Sequence, residues 1–406
     1  MNRKRNIAIL GTLDTKGSEV VFMRQLVENR GYSAAVIDLA PLQHPPIPGL
    51  RSEEVFRWKG PKRSSEKEKI MEAMGAWATE RLLSLYREGK IDGVIGLGGN
   101  QGSAVASMAM RVLPFGFPKY LVSTVASGNI RPYVGCKDIG VIFSVGDFLG
   151  GPNAVTRSIL CNAVSAVIGM VEHGEKVTVD PAKRTIAITA LGNTEPAVRK
   201  AVRFFQEKGF QAIPFHASGA GGSAMEELIE EGIVDGVLDL TPHELTEEVV
   251  GAGAYLPVKP GRLKAAGAKA IPQVISTGGM EYLCFGPRES IPIKMRNRKI
   301  YMHNPYNANV KVSRREMAVV AETMAERLNG ARGPVAILIP LRGWSIYGAK
   351  GGPLHDEAGY RIFLKTLRHH LREGIVMEEV DAHINDPVFV DRCVRRLVGF
   401  MDGRKN

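Results

Sequence analysis

Residues 91–107 read IDGVIGLGGNQGSAVAS, and the fold class turns on this stretch. Ile91, Val94, Ile95 and Leu97 make a short apolar run of the kind that becomes a buried strand. Gly96, Gly98, Gly99 and Gly102 follow, and the small residues after them can start a helix docked tightly on that strand. Two readings of the turn stand side by side. Glycines let backbone N–H groups approach a ligand, and a helix start carries partial positive charge that suits a phosphate. The same residues also make a plain strand-to-helix turn. The pattern is not a Walker loop, which has Lys-Ser/Thr after the glycines. It also lacks the acidic ribose ligand of a dinucleotide fold at the required spacing.

Outward from this turn the alternation recurs. Residues 6–10 form a strand-like run, GTLDTKGSE follows at 11–19, and 20–29 carry Phe22, Leu26 and Val27 on one helical face. Residues 34–38 read as the next strand, so the chain opens with a β-turn-α-β unit whose first turn is a ligand position in open α/β sheets. PLQHPPIPG at 41–49 suits a surface excursion, and 66–87 a helix with Ile70, Met74, Leu82 and Leu85 facing the core. Beyond the central turn come a helix near 103–112, a strand at 120–123, the turn TVASGN at 124–129, a strand at 139–145 and GDFLGGPN at 146–153 leading into a helix.

A second copy of the opening pattern follows a connection at 171–184. It has a strand at 185–190, the turn LGNTE, a helix at 196–208 and a strand at 210–215. KIDGVIGL at 90–97 is matched by IVDGVLDL at 233–240. Further strands are expected within 275–279, 336–340 and 374–378, with helices at 356–372 and 388–400. At 406 residues the chain exceeds one ordinary core. The expectation is therefore an α/β protein with two doubly wound, mainly parallel-sheet domains, 1–175 and 176–406, facing a cleft.

The net charge of +11 tolerates anionic ligands, but Lys and Arg are interspersed with Glu and no aromatic-interleaved basic stripe is present, which disfavours nucleic acid. The densest basic patches, RWKGPKRSSEKEK at 57–69 and RNRK at 296–299, read as solvated surface. No secretory signal opens the sequence and no segment reads as a membrane span. Cys136, Cys161, Cys284 and Cys393 form no CxxC pair, so thiols in a reducing cytoplasm are expected.

GTLDTKGSE, GLGGNQGS and TVASGN, with FHASGAGGSAMEEL at 215–228, STGGMEYLCFGP at 276–287 and GGPLHDEAG at 351–359, resemble the family called UPF0261 across nearly the whole chain. That family is similar to the amino-terminal, ATP-binding part of the plant virus-resistance protein Tm-1. The resemblance implies a cytoplasmic two-domain protein that binds ATP, with magnesium, and forms a homodimer through its second domain. It implies a nucleotide site lined by Thr12, Asp14, Thr15 and Lys16, by Gly98, Gly99, Asn100, Gln101, Gly102 and Ser103, and by Thr124, Ser127, Gly128 and Asn129, with Asp147 either contacting ribose or water or making a local turn hydrogen bond. Lys16 would offset phosphate charge, and Asp14 would hold magnesium through water, contact a sugar hydroxyl or serve as a helix cap.

The second half carries another polar set: His216, Ser218, Glu226, Thr277, Glu281, Arg342, His355, Asp356, Asp381, His383 and Asp386. Converged, these would offer acid/base groups and a cation to a small anionic metabolite. HxxxH and HExxH spacings are missing, His243-Glu244 has no evident partner, and nothing in the sequence links Cys136 or Cys284 to a histidine. Three functions stay open: an ATP-dependent enzyme on a small anionic substrate, a nucleotide-regulated binding or scaffold protein, and a small-metabolite enzyme using the second domain.

Overall fold

Alternate residues of the first strand face opposite ways. Ile7 and Ile9 enter one buried cluster while Ala8 and Leu10 enter another, the signature of a strand covered on both faces. A computed structural model describes residues 3–41, 44–51, 53, 55–59 and 67–403. Parts of the 57–69 basic run and of the proline-rich excursion, and the helix start expected at Glu66, lie outside those residues. The chain divides into two compact units, Met1–Thr178 and Val179–Asn406.

The first unit runs β1 (Asn6–Gly11), α1 (Leu13–Asn29), β2 (Ser33–Asp38), β3 (Val55–Arg57), α2 (Lys67–Arg87), β4 (Gly93–Gly98), α3 (Asn100–Met110), β5 (Lys119–Ser123), α4 (Arg131–Val134), β6 (Gly140–Phe143) and α5 (Ala154–His173). Its strands are all parallel in the order β3-β2-β1-β4-β5-β6. Buried residues of α1 and α5 (Val20, Val164, Val167) pack on one face, and those of α2 and α3 (Met74, Leu82, Val105) on the other. The strand order reverses between β1 and β4, which creates a crevice at their carboxyl ends.

Two expectations need correcting. GTLDTKGSE is not a loop feeding a helix at Val20: α1 starts at Leu13 and is broken by non-helical dihedrals at Lys16 (φ −127°, ψ 20°). The 20-residue α5 is long and apolar enough to cross a membrane, contrary to the sequence reading. Its Leu160, Ala163, Val164 and Val167 are nevertheless fully buried in the first unit's core.

The second unit runs β7 (Thr185–Ala190), α6 (Glu195–Glu207), β8 (Gln211–His216), α7 (Ala220–Glu230), β9 (Gly236–Asp239), α8 (His243–Val250), α9 (Ala265–Ala268), β10 (Gln273–Ile275), β11 (Tyr282–Phe285), β12 (Ile300–Asn304), β13 (Asn307–Lys311), α10 (Arg314–Asn329), β14 (Val335–Pro340), α11 (Glu357–His370), β15 (Val376–Val380) and α12 (Pro387–Met401). Its main sheet is parallel in the order β15-β14-β10-β9-β7-β8, with the reversal between β7 and β9. A three-stranded antiparallel sheet, β11-β13-β12, is inserted after β10. The sequence reading missed it because its strands are short and two of them, Ile300–Asn304 and Asn307–Lys311, are rich in polar residues. The RNRK patch beside it is not simply solvated, since Arg298 forms a two-pronged ion pair with Glu316.

Arg262 is fully buried and locks α7, β9 and α8 together. Its Nε donates to Glu244 (2.7 Å) and its two terminal nitrogens to Glu226 (2.6 Å) and Asp239 (2.8 Å). Burial alone would lower its pKa, but the three carboxylates outweigh that and raise it. The carboxylates also accept N–H groups of Gly219, Gly222, Leu263 and Ala265 and the Thr189 hydroxyl. Removing one partner of a buried ion pair costs about 3–5 kcal/mol, because the others remain uncompensated. Arg262→Met is therefore expected to lower stability by at least that amount in urea denaturation; a loss below about 1 kcal/mol would contradict this role.

Candidate functional site

In the first unit the expected residues lie at the carboxyl ends of β1, β4 and β5, near the strand-order reversal, except Asp147, which follows β6. Asp38 shapes the β1 exit by accepting N–H bonds from Leu13 (3.2 Å) and Ala40 (2.9 Å) on one oxygen and meeting His44 (2.7 Å) on the other. Asp38 ends β2, where a dinucleotide fold carries its ribose ligand. Here it is buried and committed to the loop. Sequence reasoning overlooked this role, since its partners are backbone groups.

The β4 exit meets the β1 exit directly. A Cβ placed on Gly102 would lie 3.7 Å from the Thr12 methyl, and one on Gly99 would lie 3.6 Å from the Thr124 hydroxyl. Thr12, Gly99, Gly102 and Thr124 are thus brought together. The glycines of this turn differ in purpose. A Cβ on Gly98 would sit 2.5 Å from the backbone of Gly102 and Ser103, so packing alone demands glycine. Gly99 and Gly102 meet only ordinary contacts, so packing leaves room for a side chain there. Helix α3 has no side-chain cap at Gly99, and its first turn presents the amides of Asn100, Gln101 and Gly102.

The other expected residues separate in role. Ser103 is fully buried and donates its hydroxyl within the fold, near Gly98 O (3.0 Å) and Ser123 (2.7 Å). The Lys16 ammonium is nearly buried, donating to the Phe148 carbonyl (2.6 Å) with Asp147 at 3.7 Å. Asp14 and Thr15 are exposed, and Thr15 shares a hydroxyl bond with Thr12 (2.9 Å). Partial desolvation and the neighbouring Asp38 raise the Asp14 pKa. Ser127, Gly128 and Asn129 lie exposed beyond Thr124, and Asn129 caps Arg131 N–H (3.2 Å).

The second unit does not assemble its expected polar set. Arg342 pairs with Asp381, Asp356 caps α11 and meets Arg314, Glu226 holds Arg262, and Glu281 is buried against Ser345. The glycine turn at 218–223 is filled from within: the Glu244 carboxylate accepts from Gly219 N–H (2.5 Å) and Gly222 N–H (3.1 Å). A Cβ on Gly222 would fall 1.6 Å from that carboxylate. Of the expected set, His216 alone lines the cavity of about 390 Å³ at the end of β7, with Asn193, Tyr255, Tyr282, Cys284 and Tyr347.

Beneath this cavity the sequence reading is corrected again, because Cys284 does have a histidine partner. His243 and Glu247, one turn apart on α8, lie with Cys284 so that one donor atom from each falls within 4.8 Å of the others. The His243 Nδ1 donates to the Gly279 carbonyl (2.6 Å) and Nε2 lies 3.0 Å from Glu247. Burial by itself would lower the His243 pKa, yet Cys284 and Glu247 raise it well above the usual value. Burial pushes the Cys284 thiol up. HELTE carried the missed signal, an i,i+4 His/Glu pair on one helical face.

Fold and strand-end geometry define a two-unit, doubly wound α/β protein with a strand-order switch point in each unit. The chain belongs to the Uncharacterised protein family (UPF0261): its N-terminal domain matches residues 5–176 and its C-terminal domain residues 183–401. A UPF0261 protein of Clostridium tetani is 36% identical over 409 residues, covering 99% of this chain and 100% of that one. The ToMV resistance protein Tm-1 of Solanum lycopersicum is 35% identical over 324 residues, covering 78% of this chain and 43% of that one. Solved structures align only weakly. The UDP-GlcNAc 2-epimerase of Neisseria meningitidis bound to UDP-GlcNAc gives a TM-score of 0.24 at 11% identity over 67% of this chain and 82% of that one, which carries no functional argument.

The contrast among glycines is testable in the unliganded protein. Gly98→Ala should cost about 1–3 kcal/mol through backbone overlap. Gly102→Ala should be neutral or stabilising by up to about 1 kcal/mol, as a Gly-to-Ala change at a helical position with room for a methyl group. Equal losses in thermal or urea unfolding would show that the turn packs differently.

Proposed function

We propose that the first unit binds ATP, with magnesium, in the crevice between β1 and β4. The carrying observation is the uncapped start of α3, lined by glycines that packing does not require and facing Thr12 and Thr124. Backbone amides at such a position suit phosphate oxygens, and glycine there lets the anion approach closely. The second unit supplies an internal comparison, since its glycine-rich helix start already holds an anion, the Glu244 carboxylate. GTLDTKGSE, GLGGNQGS and TVASGN carry the resemblance to an ATP-binding part; their strand-end positions suit a phosphate, and the resemblance supplies the choice of ATP. Lys16, held beside Asp147, positions the β1 exit, and exposed Asp14 faces solvent where water-held magnesium can sit. No cysteine is in a disulfide, which suits the cytoplasm. Self-association through the second unit, implied by the resemblance, belongs to the same proposal.

Calorimetry with Mg-ATP tests the site. The native protein should bind one equivalent, and Gly99→Val or Gly102→Ala should weaken binding at least tenfold while the variants remain folded. Unchanged affinity in folded variants would remove the assignment. In the same preparations, light scattering should give a mass above the 44.2 kDa of one chain. A persistent monomer would remove the dimer. Phosphate release separates an ATP-consuming enzyme from a nucleotide-regulated binding protein.

A further inference from the structure

We propose that His243, Glu247 and Cys284 form a divalent-metal site of the zinc type in the second unit, with one coordination position open to the neighbouring cavity. Gly279 O can only accept, so the His243 Nδ1 that meets it at 2.6 Å carries the proton. Nε2 faces a carboxylate oxygen of Glu247 3.0 Å away, the geometry of two groups that share one cation, a proton or a metal ion. A proton satisfies this pair alone, whereas a metal ion also engages the Cys284 sulfur, gathered within 4.8 Å of both.

The surroundings orient all three ligands. Glu247 accepts Cys284 N–H (2.6 Å) on one oxygen and Tyr255 N–H (2.5 Å) on the other, and Gly279 fixes the histidine tautomer. Outer hydrogen bonds of this kind hold ligands in register at metal centres. A Cβ on Gly253 would lie 2.1 Å from the Glu247 carboxylate, so the chain leaves that position bare for it. An imidazole nitrogen, a carboxylate oxygen and a thiolate suit zinc, and three protein ligands leave one tetrahedral position. The arrangement is not a Cys-His-acid relay. Such a relay uses opposite ring nitrogens for nucleophile and acid, whereas here the far nitrogen is spent on a backbone carbonyl.

The open position is defined by the cavity. His243 and Glu247 are fully buried, while Cys284 also lines the cavity of about 390 Å³. Its other walls include the phenols of Tyr255, Tyr282 and Tyr347 and the amides of Asn193 and Asn309. Among the described residues Asn193 Oδ1 meets no hydrogen-bond donor, although its residue is only 6% exposed. These neutral groups, beside a metal, suit a small oxygen-bearing ligand that coordinates through a carbonyl or carboxyl oxygen.

Cobalt(II) titration of the chelator-treated full-length protein tests the proposal independently of ATP binding. One equivalent should bind, with tetrahedral visible bands and a near-ultraviolet thiolate charge-transfer band, and zinc should displace it. Cys284→Ser should abolish the charge-transfer band, and Glu247→Gln should weaken cobalt binding at least tenfold. Failure of the native protein to take up stoichiometric cobalt would overturn the site whatever the variants do. A charge-transfer band persisting in Cys284→Ser would overturn it too.

Discussion

The constraint behind both units is that all six strands of each main sheet run the same way. Parallel strands need a crossover after each one, so every strand-to-helix turn falls on one edge of the sheet. Where the strand order reverses, adjacent turns lead to opposite faces and a crevice opens between them. In the first unit the reversal brings Thr12 to Gly102 and the Thr124 turn to Gly99. In the second it places Asn193 after β7 and His243 after β9. Residues far apart in sequence thus meet with little dependence on side-chain identity.

The two edges then part ways through electrostatics. Glu244 enters the glycine-rich start of α7 and Arg262 neutralises part of the acidic cluster around it, making this edge an internal lock. In the first unit the start of α3 has no side-chain cap. Similar glycine patterns can therefore have opposite fates, decided by whether an acidic side chain from elsewhere reaches the amides.

Much of the sheet framework was legible because parallel strands are buried on both faces and read as nearly unbroken apolar runs, such as VIGL and VAILIP. β3 escaped because VFR is only three residues long. The strand ends around Gly98 and Thr12 were legible because glycine and hydroxyl residues cluster locally in sequence. The second-unit constellation was not, because its histidines and carboxylates chose other partners. Glu226 took Arg262, and His243 met Cys284 across 41 positions of sequence. Long-range pairing of polar groups leaves little local pattern; the i,i+4 spacing of His243 and Glu247 was the visible part.

The proposed site seats ATP phosphates at the start of α3. A crystal structure with magnesium and a non-hydrolysable ATP analogue tests it most directly. Phosphate oxygens are expected about 2.7–3.2 Å from amide nitrogens among residues 99–102, with Thr12 or Thr124 completing the shell. A nucleotide seated elsewhere, with those amides facing only solvent, would contradict it.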